Sequence, residues 1–217
     1  MKNNLWLYAD KGSQTYAAGS LIVFGAENFK RAKIVADFHK LKLCNDAMQQ
    51  GIEYDRIGLA HEFFWEYLID CVKILIFFEG YMKAELIVQN FCVHSINTDG
   101  TYPHLKSLAR QQRSRPITLD EIQALESFIV DKQTETITNG GLKETTIGLN
   151  TLLTPKYRAH YQFDSFITDA LLHFNETRNQ LHFNTTVEFQ LSGLLIERIR
   201  QLNEFVDRTI ARWIVKK

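Results

Sequence analysis

Proline and glycine are scarce, three and eleven in 217 residues. That argues against a loop-rich all-β protein, which needs both at its many turns. Cysteine is scarcer for its chemistry than for its number. Cys44, Cys71 and Cys92 are far apart and odd in count, form no CxxC pair and match no zinc spacing. They read as reduced core thiols of a cytoplasmic chain. Net charge is missing too: 25 basic residues balance 25 acidic ones, so the chain lacks a bulk electrostatic attraction for nucleic acid or an anionic membrane. Long apolar runs are absent. The most hydrophobic stretch, residues 63–78, is broken by Glu66, Asp70 and Lys73 and falls short of the ~20 residues a membrane span needs. The opening residues, Met1 to Trp6, have no apolar signal region. No G-x-S-x-G, Rossmann glycine pattern or catalytic Cys-His signature occurs, which sets aside serine hydrolases and nicotinamide oxidoreductases. The expectation is a soluble, cytoplasmic protein without membrane contact.

What is present is a core former. Hydrophobic residues are 45% and charged residues 23%, so intrinsic disorder over most of the length is excluded. Apolar residues recur every three or four positions over residues 17–48, through Ile22, Phe29, Ile34, Phe38 and Leu41, the helical period. Gly19 and Gly25 weaken the first part of that pattern. A second, longer helix is expected over residues 55–95, with a stripe of Phe64, Leu68, Cys71, Leu75, Phe78, Met82 and Leu86 wide enough for contact on several sides, and a kink at Gly80. Thr118-Leu119-Asp120-Glu121 has the form of a capping box and opens a short helix to residue 130. Residues 133–149 are rich in Thr, Asn and Gly and read as a mobile loop. Thr154-Pro155 reads as an N-cap followed by a first-turn proline. Two more helices are expected over residues 164–181 and 187–215. The fold class is all-α: a single domain over residues 1–217, a bundle of two packed helical hairpins with a short extra helix in the middle. A connector spans residues 96–160.

The stretch richest in chemistry is Phe174-Asn175-Glu176-Thr177-Arg178-Asn179-Gln180-Leu181-His182-Phe183. The ridge of Phe163, Ile167, Leu171 and Phe174 continues to Arg178, with His182 one turn on. A guanidinium on an inward face needs a carboxylate, such as Glu79 or Glu85, or a polar groove to open into.

Arg178-Asn179 followed by His182, late in a helical chain and ahead of one last long helix, resembles the signature of the HEPN superfamily (higher eukaryotes and prokaryotes nucleotide-binding). Its members are helical bundles, commonly dimeric, and many are metal-independent endoribonucleases of toxin–antitoxin, phage-defence or RNA-processing systems. The resemblance implies that Arg178 holds the scissile phosphate, that His182 serves as general acid or base, and that Asn179 orients these groups. It implies RNA as substrate, a homodimer, and a cognate antitoxin or partner protein, with neither cofactor nor metal. Three residues separate Arg178 from His182, where the family usually has four to six. A non-catalytic RNA-binding, nucleotide-binding or protein-interaction module of the same fold is therefore the alternative reading. Arg56 and His61 form a second pair with the orthodox gap. It ranks lower because Ile57 follows the arginine and because it opens a helix far from the last one.

Arg110, Arg113 and Arg115 form a basic cluster, either a solvated loop or a patch that tracks RNA phosphates. Glu62, Glu66 and Asp70 fall one turn apart and read as a solvated acidic stripe. His61-Glu62 begins like a zincin motif, but Trp65 stands where the second histidine belongs. His94 and His104 read as surface residues.

Overall fold

The computed structural model describes residues 5–6, 11–51, 56–98, 103, 105–123, 129–131, 136–138, 141–180 and 191–215. A two-residue strand β1 (Leu5–Trp6) precedes helices α1 (Lys11–Lys30), α2 (Lys33–Ala36), α3 (Phe38–Gln49) and α4 (Arg56–Val88). Then come β2 (His94–Ile96), α5 (Leu105–Gln112), α6 (Leu119–Gln123), β3 (Ile129–Asp131), β4 (Thr136–Thr138) and β5 (Leu142–Thr146). The chain ends with α7 (Leu149–Leu152), α8 (Pro155–Arg158), α9 (Ser165–Gln180) and α10 (Gly193–Val215). Helices dominate, as the all-α reading requires. Small antiparallel sheets, β1-β4-β3 and β2-β5, are added to it. No helix among the described residues is long and apolar enough to cross a membrane.

Two compact units emerge. One comprises residues 22–78 and 163–217. Its core is aromatic. Phe78 packs against Phe29 (centroids 6.2 Å apart), Phe163 (6.0 Å) and Phe205 (5.6 Å), with Phe63, Phe77, Phe174 and Ile74 fully buried. Each such side chain contributes about 1.5–3 kcal/mol on burial. Helix α10 packs on α2, α3 and α9. Its buried ridge is Leu195, Ile199, Leu202 and Val206, whereas Leu194 is 53% exposed. Helices α1 and α4 meet here at Gly25, where a Cβ would lie 2.8 Å from the Cα of Phe77. The glycine that weakens the helical pattern is thus a point of backbone approach inside an unbroken helix.

Asp70 corrects the solvated-stripe reading. It is fully buried. Its Oδ2 accepts the backbone N–H of Ile34 (3.0 Å) and its Oδ1 accepts Lys73 Nζ (3.1 Å), so it caps the start of α2 from another helix. Glu62 does behave as a surface carboxylate. It lies 2.9 Å from Lys40 and 3.4 Å from Lys33, and both ammonium groups hold its pKa below the usual range.

The other unit comprises residues 1–21 and 79–162. Its core is Cys92, Ile96, Leu105, Ala109, Ile117, Leu119, Ile122 and Leu142. The capping box forms as expected: Glu121 N–H donates to Thr118 Oγ1 (3.1 Å), and Thr118 N–H donates back to Glu121 Oε2 (2.9 Å). The helix it opens is described over Leu119–Gln123 and does not reach residue 130 as expected, because Ile129 and Val130 join β3. The loop expected over residues 133–149 holds β4 and β5 and the start of α7. Its threonines are β-branched and suit a pleated ladder, and the ladder partners lie in β1, β2 and β3. Thr154 takes the N-cap position of α8 with Pro155 in its first turn. Its hydroxyl donates to Thr151 O (2.8 Å) rather than capping the helix. Helix α4 passes through Gly80, where a Cβ would lie 3.1 Å from the carbonyl oxygen of Leu21. The kink expected there is instead a close contact with α1. The thiols of Cys71 and Cys92 are buried and free, and burial pushes that of Cys92 up to about 12.

Candidate functional site

Helix α9 positions the residues that matter most. Asp164 starts it: its Oδ1 accepts the N–H of Ile167 (2.7 Å), an N-cap bond. The face that α9 buries is Ile167, Ala170, Leu171, Phe174 and Thr177. The fully buried place in the last turn therefore belongs to Thr177, and Arg178 sits half-buried at the edge of the ridge. Arg178 Nη2 donates to Asn179 Oδ1 (3.3 Å). No carboxylate lies within ion-pair distance of Arg178 among the described residues. Glu79, a proposed internal partner, is held by Lys83 Nζ at 2.5 Å. His182 lies outside the described residues, so of the expected triad the structure brings together Arg178 and Asn179. Arg56 and His61 fall in the first turns of α4, and their side chains also lie outside the described residues.

Sequence reading missed three groups around the same helix. His173, one turn and a residue before Arg178, is half-buried, with Nε2 3.2 Å from the hydroxyl of Tyr67 on α4. Burial is the main reason its pKa is lowered. The charge of Arg198 on α10 adds to this, and Glu176 opposes it. Burial likewise raises the Tyr67 pKa, so Tyr67 stays a hydroxyl beside the imidazole. Two half-buried guanidinium groups, Arg178 in the last turn of α9 and Arg198 on α10, have no carboxylate partner among the described residues, and the Arg198 charge is the one that reaches His173. A half-buried guanidinium without a counter-ion can accept an anion. No sequence signal pointed to His173, because its partner Tyr67 is 106 residues away.

The basic cluster does not act as a unit. Arg115 binds Glu121 with two hydrogen bonds (2.6 and 3.1 Å) and Gln111 with a third, and it holds the Glu121 carboxyl down to about 2. Arg110 and Arg113, at and just beyond the end of α5, are exposed. His94 Nδ1 lies 3.2 Å from the carbonyl oxygen of Lys143, and His104 lies outside the described residues. No group of three or more His, Cys, Asp or Glu that could hold a metal occurs among the described residues.

Fold and site together define a mostly helical protein with a half-buried arginine in the last turn of α9 that has no carboxylate partner among the described residues. No family model, curated protein or solved structure matches the chain.

Proposed function

We propose that the chain is an HEPN-like protein that acts on RNA, with the end of α9 gripping a phosphodiester. The observation that carries this reading is Arg178: half-buried, steadied by Asn179, and without a carboxylate partner among the described residues. A structural arginine at that depth would be expected to have a counter-ion. In this reading Arg178 holds the scissile phosphate and His182 serves as general acid or base. The ribose 2′-hydroxyl loses its proton and attacks phosphorus, the bond to the 5′-oxygen breaks, and that oxygen takes up a proton. The products are a 2′,3′-cyclic phosphate and a 5′-hydroxyl, formed without a metal. One imidazole from each protomer of a homodimer would supply the base and the acid. The patch of Trp65, 74% exposed, and Ile69, 57% exposed, one turn apart on α4, supports a second copy as partner. In a toxin–antitoxin or defence setting a cognate protein would restrain the activity.

The test is incubation with structured and single-stranded RNA in excess chelator. The expected result is cleavage with cyclic-phosphate ends that Arg178→Ala and His182→Ala each abolish. If wild type and His182→Ala are equally inactive on every RNA, catalysis is refuted. RNA binding that Arg178→Ala weakens would then support the non-catalytic module, the reading that the short Arg178–His182 gap favours.

A further inference from the structure

The unit of residues 79–162 contains a cavity of about 290 Å³ that the RNA reading does not use. Arg113 and Lys143 line it together with four hydroxyls, those of Ser95, Thr98, Thr145 and Thr151, while Ile96 and Ile147 supply apolar wall. Its walls are braced. The buried Gln112 accepts the N–H of Ile96 on its Oε1 (3.0 Å) and donates from Nε2 to the carbonyl of His94 (2.8 Å), tying α5 to β2. Tyr157 closes the end of α5 by donating to the Gln112 carbonyl (2.6 Å). Arg113 is the next residue.

The opposite wall is irregular in a specific way. In the β2-β5 ladder His94 faces Thr146 and Ile96 faces Leu142, so the register slips between them. Residues 143–145 on β5 stand opposite the single residue Ser95 on β2, an excess of two at that slip. Bulges of this kind re-aim side chains, and here both Lys143 and Thr145 line the cavity.

Arg113 and Lys143 have no acidic partner among the described residues, and the hydroxyls of Ser95, Thr98, Thr145 and Thr151 donate to no described group. Two cationic residues and four hydroxyl-bearing ones thus line one small pocket. A carboxylate offers two oxygens and one negative charge. A phosphomonoester offers three oxygens and about −1.5 to −2 charges at neutral pH, which two cations match. The volume sits near the ~300 Å³ lower end of small-ligand sites, which suits one phosphoryl group on a small carbon skeleton resting on Ile96 and Ile147.

We propose that this cavity is a binding site for a small phosphomonoester, held by Arg113 and Lys143. The site is independent of the α9 reading. The test is calorimetric titration of the full chain with inorganic phosphate, ribose 5-phosphate and adenosine monophosphate. Ribose, adenosine and a 5′-hydroxyl RNA oligonucleotide serve as controls. The phosphate compounds are expected to bind, to compete with one another and to raise the melting temperature, while the uncharged controls do not bind. Arg113→Ala and Lys143→Ala should each weaken binding at least tenfold, and Lys156→Ala, at an exposed residue outside the cavity, should leave it unchanged. Absence of binding at millimolar phosphate ester, or wild-type affinity in both cavity variants, would overturn the proposal. So would equal competition by the 5′-hydroxyl oligonucleotide, since that would assign the cavity to a polymer backbone. Loss of RNA cleavage in His182→Ala bears only on α9 and leaves this result untouched.

Discussion

Gly25 and Gly19 lie in the same helix, and alanine should affect them in opposite directions. At Gly25 the new Cβ would sit 2.8 Å from Phe77 Cα and 3.3 Å from Phe77 Cδ2. Carbon atoms rest at about 3.5–4.0 Å, so the two backbones must part by roughly 0.7 Å. Neither partner is a flexible side-chain end that could swing away. A gap of 0.5–1 Å forfeits about a quarter to a half of each affected dispersion contact, and the contacts affected include Phe29 with Phe77 and Phe78, at centroid distances of 5.8 and 6.2 Å. Overpacking of this kind costs about 1–3 kcal/mol, and replacing a helical glycine by alanine returns about 1 kcal/mol. Gly25→Ala is therefore expected to destabilise by up to about 2 kcal/mol. At Gly19 an added Cβ would meet nothing within 4 Å, so Gly19→Ala should stabilise by about 1 kcal/mol. For a chain of this size 1 kcal/mol moves the midpoint by about 2–4 °C, so the two variants should melt about 2–12 °C apart. Thermal unfolding followed by far-ultraviolet circular dichroism checks this. A Gly25→Ala protein as stable as Gly19→Ala would refute the close-approach argument.

Asp70→Ala leaves the Ile34 N–H and the Lys73 ammonium without their carboxylate and should cost about 3–5 kcal/mol in urea unfolding. Asp70→Asn keeps an acceptor and should cost distinctly less. Glu121 titrates near 2 in the fold, below its ordinary value. Its contribution to stability is therefore full above about pH 4.5 and is lost as the pH falls towards 2, so Glu121→Gln should flatten that part of the acid limb. A wild-type slope there in Glu121→Gln would contradict the pairing with Arg115. His173 shifts in the destabilising sense for its cation, since burial and Arg198 lower its pKa. Its contribution is therefore present above about pH 6.5 and declines as the pH falls below it. His173→Gln should remove that decline, and chemical-denaturation midpoints measured between about pH 5 and 8 would show whether it does.

Features written within a few residues of one another were legible in the chain. The Thr118–Glu121 capping box needs only an i, i+3 spacing, and Asp164 caps the helix it precedes, so both follow from local hydrogen-bond geometry. The long helices follow from apolar period alone. Their phase is less certain by one position, because 3.6 residues per turn lets positions 177 and 178 share an edge. That is why Thr177, and not Arg178, takes the buried place.

Other features depended on partners far along the chain. Asp70 looks like one carboxylate among three until the Ile34 N–H, 36 residues away, arrives to be capped. Gly25 and Gly80 look like helix breakers until another backbone closes on them. The threonines of β4 and β5 look like loop until β1, β2 and β3 offer ladder bonds. The chain alone determines which segments coil and where a neighbouring side chain caps an end, as the Thr118–Glu121 box does, because those energies are local. Which polar groups are buried, paired or left facing a cavity was decided only by tertiary packing, because desolvation and ion pairing depend on what lies across the contact and not on what lies next in sequence.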